Sequence, residues 1–266
     1  MQATLKNCIF FGKEMIKNST VTRQLKTLTG GDESITAYWR RNLKLLSGEV
    51  FDKLRGSKLD TMYDTHKVIM SSESKDIINK FVVHTDHAIG GKSWAKLCMS
   101  RNNRLLFHGE LKTTLPKDGV TERSGYCGIK SKQLYGAFDK KVQIDLTQFN
   151  VLKFRVRGDG RSYMVNLYAD NYYTATNDDI WSYFLFTRGG PHWQEVTVPF
   201  SKFFLSNKGR IQDKQSAIDL EIINCIGLTM ADAVDGEFAL EIDLISAEYD
   251  PTHTEDFAYE TYDTRY

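Results

Sequence analysis

The chain has 266 residues, 41% hydrophobic and 26% charged, which is enough to bury a full apolar core without help from metals or disulfides. Its formal net charge of +1 hides an asymmetry: residues 1–58 carry 11 Lys/Arg against 5 Asp/Glu, residues 246–266 carry 1 against 6, and the middle holds 23 of each. The balanced middle excludes a broad electrostatic footprint for nucleic acid.

The four cysteines, Cys8, Cys98, Cys127 and Cys225, are scattered. They form no C-x-x-C pair and no zinc spacing, and so read as free thiols in a reducing compartment. No apolar run reaches the ~18 residues that cross a bilayer, so any membrane contact would be peripheral.

In chain order, residues 1–30 set Lys6, Lys13, Lys17, Arg23 and Lys26 against a single acid, Glu14, among many Ser and Thr. That composition predicts an organelle transit segment, with a plain disordered tail as the alternative. Residues 31–80 read as a helical extension and linker. Within "ITAYWRRNLKLLSGEVFDKL", Trp39, Leu43, Leu46, Val50 and Leu54 recur at helical spacing. The stripe they form is expected to pack on the rest of the protein or on a partner. Arg40, Arg41, Lys44 and Lys53 lie off that stripe and read as a solvated face.

Around residue 81 the period changes to two. "VLKFRVRG" places Leu152, Phe154 and Val156 on one side and Lys153, Arg155 and Arg157 on the other, the pattern of a half-buried strand. "RSYMVNLYAD", "IWSYFLFTR", "HWQEVTVPF", "NCIGLTMA" and "GEFALEIDLIS" are further strands, separated by Gly, Asp or Pro turns. Many short strands without alternating helices predict a mainly β fold, an antiparallel β-sandwich over residues 81–249. Residues 250–266 are acidic and aperiodic, and read as an extended tail.

The segment "TDHAIGGKSWAKL" imitates the second half of a phosphate-binding loop. Such a loop needs its first glycine five residues before Gly91, and that position is Asp86, whose carboxylate would repel phosphate. It must also open a helix, whereas Ser93 to Met99 alternates like a strand. The better reading of Gly90-Gly91 is a tight turn with positive φ.

His84, His87 and His108 have no metal-ligand spacing, because two histidines three apart on a strand face opposite ways. Cys127 has no neighbour in sequence that would activate it. In "RGDGR", Asp159-Gly160 is a hairpin pair, and Arg161 can tie the turn to a neighbouring carboxylate. "TRGGPHWQEV" offers Arg188 and Trp193 beside Gly189-Gly190. With Tyr163, Tyr172, Tyr173 and Trp181, Trp193 could form a sugar-stacking platform, the mark of a carbohydrate-binding module; the commoner use of such rings is to fill a sandwich core.

"FVVHTDHAIGGKSWAKL", "LLFHGEL", "RSGYCGI", "LKFRVRGDGRSYMVNLY", "WSYFLFTRGGPHWQEVTVPFSKFFLSNKGRI" and "IGLTMADAVDGEFALEIDLI" resemble, in order, the mitochondrial complex I intermediate-associated protein family, also described as an NADH:ubiquinone oxidoreductase assembly factor. The tail "DPTHTEDFAYE" is similar to the animal members. Phe81 departs from the Trp often found at the start of the first strand.

The resemblance implies a galactose-binding-like β-sandwich, or jelly roll, without enzymatic activity, cofactor or metal. It implies work in the mitochondrial matrix at the inner membrane, with complex I intermediates, an acyl-CoA-dehydrogenase-like protein and an adaptor protein as partners. It supplies no catalytic residues, only signature turns: Asp86, Gly90, Gly91 and Ser93; Gly158, Asp159, Gly160 and Arg161; and Gly189, Gly190 and Trp193. Arg188 and Trp193 are the partner-contact candidates.

Overall fold

Side-chain alternation is realised strand by strand. In β8 (Val151–Arg157), Leu152, Phe154 and Val156 are fully buried while Lys153, Arg155 and Arg157 face outward, as the pleat requires. β4 (Leu105–Leu111) buries Leu105, Phe107 and Leu111, and β9 (Ser162–Ala169) buries Tyr163, Val165 and Leu167. The computed structural model describes residues 35–54, 65–74, 76–117, 119, 121, 124–169, 179–207 and 209–259. The transit-like residues 1–30 and the end of the tail, 260–266, lie outside the described residues.

The other strands are β1 (His66–Ser71), β2 (Phe81–Thr85), β3 (Trp94–Met99), β5 (Cys127–Ser131), β6 (Leu134–Tyr135), β7 (Lys141–Val142), β10 (Asp179–Phe186), β11 (Gln194–Pro199), β12 (Phe204–Asn207), β13 (Arg210–Ile211), β14 (Ile223–Met230) and β15 (Gly236–Glu248). One sheet runs β11-β8-β15-β4-β3 with β1 also on β15, the other runs β13-β12-β10-β9-β14-β5-β2, and β6 pairs with β7. The ladders within the two large sheets are antiparallel among the described residues. The inner faces of the two large sheets share one core, where Tyr163 of the second meets Phe238 of the first edge-on at 6.5 Å. An apolar void of about 10 Å³ lies among Met70, Phe81, Ile129, Ile226, Ile242 and Ile245. It is at the lower limit for one water. This is the mainly β, antiparallel β-sandwich that the strand pattern predicts.

β15 carries a bulge at Asp243, where its register with β8 shifts between Ile242 and Leu244. Before it the even positions Phe238, Leu240 and Ile242 fill the core; after it the odd positions Ile245 and Ala247 do. The extra residue lets one strand keep an apolar inner face through a change of phase. Asp243 itself is held by Arg104 at 2.8 Å, Arg155 at 3.1 Å and the Ser72 hydroxyl at 3.0 Å.

The sandwich starts before residue 81, because β1 pairs with the second half of β15. Its sequence "HKVIMS" buries one side chain, Met70, and so carries little alternation to read. At the other end, residues 250–259 are tied down. Asn150 Nδ2 donates to the Asp250 and His253 carbonyls, Ser201 Oγ bonds His253 Nε2 and Glu255, and the Tyr259 hydroxyl donates to the Lys202 carbonyl.

On the outer face of the second sheet, a polar row crosses four strands. Ser206 Oγ and Ser182 Oγ lie 3.1 Å apart, Ser182 Oγ donates to Asn166 Oδ1 at 2.8 Å, and Asn166 Nδ2 donates to Thr229 Oγ1 at 2.9 Å. Each of the four is nearly inaccessible, so these mutual hydrogen bonds replace the ones water would make.

A second compact unit consists of α1 (Ile35–Leu54) with residues 135–140. Its seam is polar: Asn42 Oδ1 accepts from Phe138 N and Glu49 Oε1 accepts from Ala137 N, both at 2.7 Å. Trp39, Leu43 and Val50 of the apolar stripe are exposed. The backbone N–H groups of the loop need acceptors, and Asn42 and Glu49 supply them from the flank of that stripe.

Candidate functional site

Thr85 opens a short 3-10 turn, Asp86–Ile89, which Gly90 ends at φ 81. That value falls in the left-handed region glycine enters without a Cβ penalty. Asp86 is completely buried. Its carboxylate accepts from Ser93 N at 3.0 Å, Ser93 Oγ at 2.8 Å and Gly125 N at 2.8 Å, while its carbonyl accepts from Gly91 N at 2.9 Å. The amides that a phosphate loop would aim at its ligand are therefore spent on an internal carboxylate. Lys92 stays exposed on the turn.

From this knot a chain of hydrogen bonds leads to the other two signature turns. Ser93 Oγ accepts from Lys112 N at 3.0 Å, and the next amide, Thr113 N, donates to Asp235 at 2.7 Å. Asp235 sits in the loop 231–236 that Arg161 grips. Arg161 Nε and Nη2 donate to Asp232 at 2.8 and 2.5 Å, Nη1 donates to the Gly236 and Glu237 carbonyls, and Nη2 also reaches the Val234 carbonyl. All five guanidinium donors are used.

Asp159 closes the arrangement by accepting from Arg161 N, the Tyr163 hydroxyl and Ala239 N. Burial, and then the Asp159 charge, push the Tyr163 hydroxyl well up from its ordinary range, so it remains a donor. Gly158 forms a parallel bridge with Gly189, and a Cβ on Gly158 would stand 2.3 Å from Thr187 Cβ. Thr187 Oγ1 in turn donates to the Arg161 carbonyl and accepts from Gly160 N. Asp86, Gly91, Ser93, Gly158, Asp159, Gly160, Arg161 and Gly189 are thus joined through loops 111–114 and 231–236, while Gly190 is exposed on its turn with φ 123.

Trp193 lies on the outer face of the first sheet, with the Arg157 and Arg155 guanidinium carbons 5.2 and 5.9 Å from its ring. Arg157 also pairs with Glu241 at 2.6 Å and donates to the Pro191 carbonyl. Arg188 is anchored through its backbone N–H, which donates to Gln194 Oε1 at 2.7 Å. Its side chain is exposed and makes no hydrogen bond, ion pair or ring contact among the described residues.

Several residues singled out by sequence do not converge. Tyr163 and Trp181 are buried, and Trp181 Nε1 donates to the Ser216 carbonyl, so neither offers a ring to a sugar-stacking platform. Tyr172 and Tyr173 lie outside the described residues. His84 on β2 neighbours Tyr126, whereas His108 on β4 meets Trp94 edge-on in the other sheet. Burial, and then the Lys130 charge, lower the His84 pKa. Burial, then Asp86, push the Cys127 thiol up to about 12. Asp232, Asp235 and Thr187 were missed; the repeated aspartates of "ADAVDGE" were the signal, and only their distant partners give them a role.

The family model described as "Complex I intermediate-associated protein 30" matches residues 70–242. The chain is 44% identical over 234 residues to "Complex I intermediate-associated protein 30, mitochondrial" of Mus musculus, covering 86% of this chain and 70% of that protein. It is 46% identical over 200 residues to the Drosophila melanogaster protein of the same name, covering 74% and 68%. Among solved structures it is similar to the family 11 carbohydrate-binding module of a Clostridium thermocellum cellulase, at 16% identity and TM-score 0.49 over 70% of this chain and 95% of that one. Nothing about ligands transfers at that distance. The family match takes in all three signature turns and the loop that Arg161 grips, and on that match and the identity to the mouse and fly proteins, the chain belongs to the complex I intermediate-associated protein 30 family.

Proposed function

We propose that this protein is a non-catalytic assembly factor, a chaperone, for mitochondrial respiratory complex I, acting through protein–protein contacts with assembly intermediates. The observation that carries the reading is family membership over residues 70–242, together with the names of the mouse and fly relatives. The structure supports a binding role over a catalytic one. Asp86 and Arg161, the best-placed charged groups on the signature turns, have their acceptors and donors occupied by the fold. The turns then serve as a rigid support, and Arg188 with Trp193 is the contact patch they carry.

The protein would work in the mitochondrial matrix, associated peripherally with the inner membrane, with an acyl-CoA-dehydrogenase-like protein and an adaptor protein as companions. Depletion from mitochondria should lower assembled complex I and accumulate its intermediates, and co-purification should recover the named classes of partner. Normal complex I levels after complete depletion would remove the proposal.

A further inference from the structure

The helix unit presents a surface that the assembly reading leaves unused. Trp39, Leu43 and Val50 are 46%, 54% and 46% exposed. With the half-buried Leu46 they fall on one stripe of α1. The loop adds Phe138, 44% exposed, its ring edge-on to Trp39 at 5.8 Å. Phe138 keeps that place against its backbone preference, with φ 56 and ψ 39, followed by Asp139 also at φ 56.

A bulky side chain in the left-handed region is strained. The strain is sustained by Asn42 and Glu49 accepting the Phe138 and Ala137 N–H groups, and by the Tyr38 hydroxyl bonding Asp139 at 3.0 Å. Backbone held this way to keep an aromatic ring in water marks a working surface.

Charge indicates what covers it. Arg40 and Lys44 are exposed off the stripe, and α1 itself carries Arg40, Arg41, Lys44 and Lys53 against the acids Glu49 and Asp52. Glu49 accepts the Ala137 N–H of the loop. An apolar stripe with an aromatic pair, bordered by cations, has the chemistry of a helix lying in the interface of an anionic bilayer. No described helix is long and apolar enough to cross a membrane.

We propose that α1, through Trp39, Leu43, Leu46 and Val50 with Phe138 beside them, lays this protein on an anionic lipid surface. The inference rests on the proposed peripheral membrane association and names the element responsible. The test is co-sedimentation of the full chain with phosphatidylcholine vesicles, with and without phosphatidylglycerol, at low and high salt. Wild type should bind the anionic vesicles and weaken with salt. Leu43→Asp with Val50→Asp should lower partitioning at least ~10-fold, since two exposed apolar contacts become charged.

Phe138→Gly removes the ring at a φ that glycine adopts freely, and should weaken binding with the helical circular dichroism retained. Arg40→Glu with Lys44→Glu should erase the preference for anionic vesicles. If wild type binds neither vesicle, the peripheral membrane reading falls and this inference with it. If wild type binds and Leu43→Asp/Val50→Asp binds equally, membrane association stands and α1 is the wrong element. Lost recovery of complex I intermediates with unchanged vesicle binding would make the stripe a protein-docking face and overturn the lipid assignment.

Discussion

The carboxylate of Asp86 occupies the space in which a side chain at Gly91 would begin: a Cβ on Gly91 would stand 2.1 Å from Asp86 Cγ. The turn therefore closes around a buried acid because the residue five positions on has no side chain. Gly91→Ala should destabilise the protein by roughly 2–4 kcal/mol, since the neighbour is a fully bonded group that cannot swing aside. Asp86→Ala should cost about 3 kcal/mol by leaving the Ser93 and Gly125 amides buried without acceptors. Urea denaturation of each variant checks both values, and a Gly91→Ala midpoint equal to wild type would refute the close approach.

Arg161 and Asp232 bind loop 231–236 to the turn at 157–161. Arg161→Lys keeps the charge and loses the fork, and should cost roughly 2 kcal/mol. Burial acts to raise the Asp232 carboxyl, but the hydrogen bonds and charge of Arg161 outweigh it and hold the pKa below its ordinary value. A carboxyl with a depressed folded-state pKa contributes stability above the unfolded value of about 4, and that contribution is lost as pH falls through the folded one. Asp232→Asn should therefore flatten the stability profile below about pH 4. A variant whose acid profile parallels wild type would contradict this.

Cys127 should be inert in the folded protein. With its thiol pushed up to about 12, chiefly by burial, almost none is thiolate at neutral pH. Alkylation of the native protein should modify the half-buried Cys98 well before Cys127, and urea should remove the difference. Peptide mass spectrometry of a short iodoacetamide pulse reads the order directly.

Arg188 and Trp193 should separate binding from stability. Arg188→Glu removes a side chain with no partner among the described residues, so the melting temperature should stay within error while recovery of assembly intermediates falls. Trp193→Ala uncovers Arg155 and Arg157, and should cost ~1 kcal/mol of stability as well. Equal recovery with both variants would locate the partner surface elsewhere.

How much was legible depended on the range over which each feature is determined. The alternation of Leu152, Phe154 and Val156 against Lys153, Arg155 and Arg157 predicts β8 because the pleat puts successive side chains on opposite faces within a single strand. The glycines at 90 and 160 predict positive φ for the same local reason, and both have it, but Gly91 does not. The hairpin expected at Asp159-Gly160 is instead a crossing from β8 in one sheet to β9 in the other, because pairing is set beyond the turn itself. Asp86 was legible only as an obstacle to phosphate; that it anchors Ser93 and Gly125 requires the chain to return 39 residues later. The bulge at Asp243 escaped notice because "GEFALEIDLIS" reads as one strand, and the change of inner face emerges only from its register with β8.

The amino-acid order by itself determined the strongly alternating strands, the positive-φ turns at Gly90 and Gly160 and the apolar stripe of α1, since these follow from periods of two and 3.6 and from where glycine stands. Tertiary structure alone decided the partners. Arg161 finds Asp232 across 71 residues, the row from Ser206 to Thr229 assembles from four strands, and the apolar stripe of α1 stays exposed beside a polar seam. Hydrogen bonds and ion pairs are short-ranged, so their pairing is set by how sheets and loops close in space, and no local pattern encodes that closure.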